Sequence, residues 1–258
     1  MSRFEEKEMK TIIQNKLIEI EKTYDLKILF ACESGSRGWG FPSPDSDFDV
    51  RFIYVKPFHS YLSITAEDDH LSFPINDELD IYGWDLKKVL KLMAKSNTTP
   101  FEWLQSPIVY KEEQGFRDKL WALCQECFLR KTNANHYLGI AKGALATMVN
   151  EDEIKIKKLF YVLRPLLSAI WCLEKETIAP MEIVPLMSLM PKHVKALVEA
   201  LIIQKATTPE GFVVKIPAEL KVYIEEQFER CNIAVSRLTK QVLDSKRLND
   251  FFINTLNP

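Results

Sequence analysis

The spacing of apolar positions divides the chain into a strand-bearing first part and a helical remainder. Met9, Ile13, Leu17, Ile20 and Tyr24 recur every three or four residues, which predicts an amphipathic helix over 5–24. Leu26 to Cys32 is a compact apolar run of strand length, and Phe48 to Val55 is a second strand rich in β-branched and aromatic residues. Glu78 to Tyr82 reads as a third strand, followed by Asp85 as the cap of a helix to about Lys95. A tight segment over 33–40 and the turn-rich Pro42-Ser-Pro-Asp-Ser46 separate the first two strands. An irregular connection over 56–77, with Pro57 and Pro74, leads to the third. From Pro100 onwards the period is helical, with expected helices over 115–130, 133–149, 153–175, 191–204 and 217–255, the last interrupted. The boundary between the two parts is expected near 105–115, around Pro107.

Composition narrows the class. The chain has 258 residues and 47% hydrophobic content, enough for one large core or two modest ones. With 34 basic and 36 acidic residues the net charge is -2, so no global positive field marks a nucleic-acid binder, and any such contact rests on a local patch. No run approaches the ~18 apolar residues of a membrane span. The opening MSRFEEKEMK lacks the apolar stretch of a signal peptide, and five scattered cysteines fit a reducing compartment. A cytoplasmic globular protein is the expectation.

Gly35-Ser36-Arg37 followed by Asp47-Phe48-Asp49-Val50 carries the chemistry. Side chains alternate along a strand, so Asp47 and Asp49 project to one side while Phe48, Val50 and Phe52 project to the other. Two adjacent carboxylates repel, and a divalent cation cancels that repulsion. A Gly-Ser turn at a strand end can offer N–H groups and a hydroxyl to an anion. An anion cradle beside a carboxylate pair suits nucleoside triphosphate chemistry, because Mg²⁺ favours one or two carboxylates plus phosphate oxygens. A third carboxylate is expected from the 78–82 strand, where alternation leaves both Glu78 and Asp80 open.

Competing motifs fail. The Asp45, Asp47, Asp49 series resembles the start of an EF-hand loop but has Val50 and Lys56 where Gly and Glu are needed. Neither a P-loop nor a dinucleotide fingerprint is present. Cys124-x-x-Cys127 has no second pair and reads as helix core. His59, His70, His136 and His193 form no pattern, and Trp84 and Trp103 read as core residues. In the helical part, Lys157, Tyr161, Arg164 and Ser168 follow spacings of four, three and four along one helix face, positioned to reach a triphosphate or an acceptor's phosphate. Pro165 is expected to kink that helix.

Gly35-Ser36 with Asp47-x-Asp49 resembles the signature of the DNA polymerase β-like nucleotidyltransferases. The linked blocks GSRGWGFPSPDSDFDVRFIYV, ELDIYGWDLKKVLKLMAKSN, FEWLQSP and LFYVLRPLLSAIW are similar to the predicted nucleotidyltransferase family typified by YcgL and the RNA-ligase-associated RlaP proteins. The resemblance covers roughly residues 30–175. It implies an α+β fold, with a small mixed sheet and flanking helices over 1–110 and an α-helical domain over 111–258. It implies two Mg²⁺ ions, Gly35 and Ser36 on the triphosphate, Asp47 and Asp49 on metal, and Asp80 as the third carboxylate. Arg37 and Ser46 lie close enough in sequence to join the phosphate contacts. The implied reaction is in-line transfer of a nucleoside monophosphate from an NTP to an acceptor hydroxyl, with release of pyrophosphate. RNA is the favoured acceptor, by the family's association with RNA ligases. The alternative is a catalytically silent nucleotide-binding sensor or regulatory module that uses the same residues.

Overall fold

A computed structural model of the chain describes residues 3–65, 67–73, 78–148, 150, 152–239 and 241–257. Pro74, in the irregular connection, and Val149, at the end of the expected 133–149 helix, lie outside these residues.

The helix expected over 5–24 is α1 (Arg3–Thr23), whose Ile13, Leu17 and Ile20 are fully buried. It is followed by β1 (Lys27–Glu33), the short α2 (Gly35–Trp39) and β2 (Phe48–Val55). Next come β3 (His70–Ser72), β4 (Leu79–Asp85), α3 (Leu86–Met93), α4 (Thr98–Trp103) and β5 (Val109–Glu112). These strands form one mixed sheet in the order β3-β4-β2-β1-β5. Among the described residues the β2–β4 pair alone is parallel in this sheet. The strands β3 and β5 escape the periodicity reading because three or four residues are too few to show alternation, and a neighbouring strand supplies their hydrogen bonds. Asp85 caps α3 as expected, accepting the Lys87 N–H at 2.7 Å.

The sheet has two apolar faces. Phe48, Val50, Phe52 and Ile81 pack with Ile28 and α1 on one. On the other, Phe30, Cys32, Ile53 and Val55 meet α3, α4 and α5 (Phe116–Glu126). Beyond α5 the chain builds α6 (Arg130–Leu145), β6 (Glu153–Lys155), α7 (Ile156–Glu174), α8 (Ile183–Leu186) and α9 (Lys192–Lys205). It closes with β7 (Val213–Lys215), α10 (Ala218–Ser236) and α11 (Lys246–Leu256). The helix expected over 153–175 therefore starts three residues late. Glu153–Lys155 stays extended because it pairs with β7 and buries Ile154 against Val214. Pro165 sits inside α7, which runs unbroken to Glu174. The interrupted 217–255 helix resolves into α10 and α11, and α11 returns to the sheet, where Leu248 is buried against the α3 side.

All five cysteines are free and buried. Burial pushes the Cys127 thiol up to about 11, and Cys124 lies against Met93, so the pair acts as helix core. Among the described residues no helix is long and apolar enough to cross a membrane.

Candidate active site

The parallel pairing of β2 and β4 sets Asp49 directly beside Asp80 in register. Alternation sends Phe48 and Val50 into the α1 core and leaves Asp49 and Arg51 on the opposite face. In β4 the same rule buries Ile81 and frees Asp80 and Tyr82. Glu78 precedes the strand and is exposed. Asp49 and Asp80 converge on one cation, because Arg51 Nη2 donates to Asp49 Oδ1 and to Asp80 Oδ2, each at 2.7 Å. Burial raises the Asp49 carboxyl above its ordinary range; Arg51 opposes this, and the charges of Asp47 and Asp80 add to it.

Asp47 lies just ahead of β2, within the electrostatic reach of Asp49, Lys157 and Tyr161. Gly35, with φ of 57°, lets the backbone run against this carboxylate group. A Cβ at that position would fall 1.8 Å from Asp49 Oδ2, so no side chain fits. Behind the site, Glu33 is fully buried and accepts the Asp49 N–H at 2.8 Å and the Tyr110 hydroxyl. Burial pushes its carboxyl up to about 7 against the pull of those two donors. Glu33 thus fixes the backbone that carries Asp49.

The loop leading into β2 is tied down from both sides. Arg37 donates Nε to the Asp47 carbonyl at 3.1 Å and Nη2 to the Ser46 carbonyl at 2.7 Å, with its guanidinium 4.0 Å over the Phe48 ring. Ser46 Oγ accepts from Ser36 Oγ at 3.0 Å and donates to Glu210 at 2.8 Å. Glu210 arrives from the loop before β7 and also pairs with Lys157. Burial works to lower the Lys157 ammonium, but Glu210 more than offsets it and the net shift is upward. Lys205, wholly buried, donates to Ser43 Oγ at 2.8 Å.

The structure thus gathers Gly35, Asp47, Asp49, Asp80, Lys157 and Tyr161 around one end of β2, with Ser36 and Ser46 in the adjoining loop network. Arg164 stands apart. It is buried in α7, where Nε donates to the Met181 carbonyl at 2.8 Å and Nη2 lies 3.2 Å from Glu102. Ser168, also buried, donates to the Arg164 carbonyl at 3.0 Å. Sequence reasoning missed Arg51, Glu33, Glu102, Lys205 and Glu210. Arg51 was within reach of the alternation rule, as the third member of the Asp47, Asp49 series on one face. The others come from distant parts of the chain, and no local pattern marks them.

The donor set fits a hard divalent cation, since Asp49 and Asp80 already hold a positive group between them through carboxylate oxygens. Among the described residues no group of three or more His, Cys, Asp or Glu is close enough to form a closed cage. Beside the carboxylates, a cleft of about 450 Å³ opens between β4, α4, α6 and α7. Trp103 is buried core as expected, half-buried Trp84 packs on it with ring centroids 4.3 Å apart, and both border the cleft.

The family model described as RlaP, RNA repair pathway DNA polymerase beta family, matches residues 9–254. The chain is 41% identical over 254 residues to an uncharacterized protein, YcgL, of Bacillus subtilis (strain 168), covering 96% of each. A crystal structure of a nucleotidyltransferase-like protein from Exiguobacterium sibiricum 255-15 aligns over 87% of this chain and 74% of that one. The identity is 12% and the TM-score 0.32, too low to support a structural argument.

Proposed function

This chain belongs to the RNA repair pathway DNA polymerase beta family, and from that membership we propose that it is a Mg²⁺-dependent nucleotidyltransferase. It would move a nucleoside monophosphate from an NTP to an acceptor hydroxyl and release pyrophosphate. The observation that carries this reading is the convergence of Asp49 and Asp80 on a single cationic nitrogen, 2.7 Å from each, with Asp47 two residues upstream. The family's description, RNA repair, supports RNA as the acceptor.

Asp49 and Asp80, with Asp47 beside them, would hold Mg²⁺, which would supply Lewis-acid activation of the acceptor hydroxyl and charge neutralisation on the leaving pyrophosphate. The chain's own residues do the rest. Asp80 accepts the hydroxyl proton as the acceptor oxygen bonds to the α-phosphorus and the bond to the bridging oxygen breaks. Lys157 and Tyr161 face Asp47 and Asp49 from α7 and meet the phosphates from the helical side. Gly35 lets the backbone pack directly against the Asp49 carboxylate, which would bring its N–H side beside a bound triphosphate, and Ser36 and Ser46 are held together by their shared hydrogen bond. Arg37, engaged with two loop carbonyls, keeps Ser46 and Asp47 in place. Arg51, paired with both carboxylates, would have to give them up for a metal to be held there. On this reading residues 1–110 carry the carboxylates and 111–258 contribute the cationic wall.

Arg51 in the seat also favours a second reading, a nucleotide-binding module that transfers nothing, since an ion must compete with a tethered guanidinium. The experiment is transfer of label from each α-³²P NTP with Mg²⁺ to cellular RNA, protein or small metabolites, run beside Asp49→Asn and Asp80→Asn. Label in the RNA fraction that falls by at least about a hundredfold in both variants is the expected result. Triphosphate binding without label in any fraction would establish the silent module instead.

A further inference from the structure

The groups read above as phosphate contacts are already engaged by an anion of the chain itself. Ser46 Oγ donates to Glu210 Oε1 at 2.8 Å, and Lys157 Nζ pairs with the other oxygen of the same carboxylate. Ser46 Oγ also accepts from Ser36 Oγ at 3.0 Å and from the Ser43 N–H at 2.9 Å, which leaves its own proton for Glu210. The Glu210 charge acts on Tyr161 and on buried Lys205 as well. One carboxylate thus holds two groups that the proposed reaction needs for phosphate. Arg51 is its counterpart in the metal seat, a cation of the chain held between Asp49 and Asp80.

The segment that carries Glu210 is a turn strung between two fixed points. Upstream, Lys205 ends α9 wholly buried, with Nζ 2.8 Å from Ser43 Oγ. Downstream, the Phe212 carbonyl accepts the Ile156 N–H at 2.7 Å, at the start of α7. Between them the chain reverses at Pro209, whose carbonyl accepts the Phe212 N–H at 2.9 Å. Ala206, Thr207, Pro209 and Gly211 are exposed, and no residue of 206–211 belongs to a core cluster. Glu210 itself supplies the hydrogen bonds that tie the turn to the loop ahead of β2. Its N–H donates to Asp45 Oδ1 at 3.0 Å, and its carboxylate accepts from Ser46. Lifting this turn therefore breaks a few polar contacts and exposes little apolar surface.

We propose that Glu210 is an autoinhibitory stand-in for phosphate: it holds Ser46 and Lys157 until the phosphates of a triphosphate displace it, and the 206–211 turn swings outward between its two anchors. A carboxylate and a phosphate oxygen ask for the same donors, and two anions on one ammonium repel each other, so the two cannot share Lys157. Displacement costs the ligand part of its binding free energy, because the receptive form with Glu210 withdrawn is only a fraction of the population. The proposal rests on the transferase reading, which makes Ser46 and Lys157 phosphate contacts. A residue that merely positioned Lys157 for the ligand would act with the opposite sign, since its removal would weaken binding.

The test is calorimetric titration of the full chain with Mg²⁺-tripolyphosphate, on proteins whose melting curves show them folded. Glu210→Gln keeps the side-chain volume and removes the charge, and it should bind about tenfold more tightly than the wild type. Asp45→Ala takes away the acceptor of the Glu210 N–H and leaves the carboxylate, so it frees the turn by a second route. It should tighten binding about threefold. Lys157→Met removes the partner for which carboxylate and phosphate compete. In that background Glu210→Gln should gain less than about threefold, a coupling that a double-mutant cycle reads directly. Unchanged or weaker binding in Glu210→Gln, or an equal gain with and without Lys157, overturns the proposal and leaves the transferase reading standing. Tripolyphosphate that binds neither the wild type nor Glu210→Gln overturns both. Tighter binding in Glu210→Gln with no label transferred from any NTP keeps the displacement and removes the transferase reading, so the two failures are distinguishable.

Discussion

Arg51 lies where Asp49 and Asp80 converge, and its guanidinium is the reason two carboxylates in adjacent register tolerate each other without a metal. All three side chains are about four-fifths enclosed, so the pairs are stronger than exposed ion pairs but still screened in part. Arg51→Ala removes the counter-charge and leaves the carboxylates facing each other. The expected cost is about 2 kcal/mol of stability in metal-free buffer. Because an ion bound to the folded state stabilises by mass action, Mg²⁺ should then raise the melting temperature of Arg51→Ala more than that of the wild type. Differential scanning calorimetry across a Mg²⁺ series checks this, and identical metal responses in the two proteins would show that Arg51 does not share the ion's seat.

At the scale of single elements, α3 illustrates how one residue can start a helix and carry a cost. Asp85 accepts the Lys87 N–H at 2.7 Å, which caps α3, and the Tyr61 hydroxyl at 2.7 Å. It is buried, and burial raises its carboxyl above the ordinary range in spite of both donors. The folded protein therefore holds the Asp85 proton more tightly than the unfolded chain does. This contribution to stability is fully present below the ordinary carboxylate pKa and is lost as pH rises through the raised value. Asn caps helices about as well as Asp and has no charge to bury. Urea unfolding from about pH 4 to 7 should show Asp85→Asn gaining on the wild type as pH rises. Asp85→Ala, which loses the cap and strands the Tyr61 hydroxyl, should cost about 1–2 kcal/mol throughout. Parallel pH curves for the wild type and Asp85→Asn would disprove the assignment.

At the scale of the whole molecule, the helical part closes around the sheet. The cluster on the inner face of β1 contains Phe30 and Cys32 together with Leu120 of α5 and Leu248 of α11, more than two hundred residues apart in the chain. Phe251 and Phe252 pack against the same cluster from α11. A separate cluster ties α6, α7, α9 and α10 together and includes Phe41, which stacks on Phe160 at 4.8 Å. The last helix is thus a structural part of the sheet's core. Leu248→Ala should cost about 2–4 kcal/mol and shift the single unfolding transition as a whole. A variant that melts like the wild type would reduce α11 to an appendage.

Much of the site was legible before any packing was known, because its pattern is local. The period of two along 47–52 separates the aspartates from Phe48, Val50 and Phe52 whatever surrounds the strand. The periodicity of 5–24 and the cap at Asp85 are similarly properties of consecutive residues, and each reappears in the structure. Alternation alone left Glu78 and Asp80 open and the family resemblance pointed to Asp80; the parallel register of β2 and β4, which strand pairing sets, puts Asp80 beside Asp49. Helical spacing put Arg164 on a face with Lys157, but packing against Trp39 and Glu102 decided that this face turns inward by Arg164. Glu33, Lys205 and Glu210 came to the site from remote segments, and the packing of α6 and α7 against the sheet leaves a cleft that Trp84 and Trp103 border. The chain's own periodicity determined which residues share a face. What each face meets is decided by burial of apolar surface over the whole molecule, and only the tertiary structure expresses that.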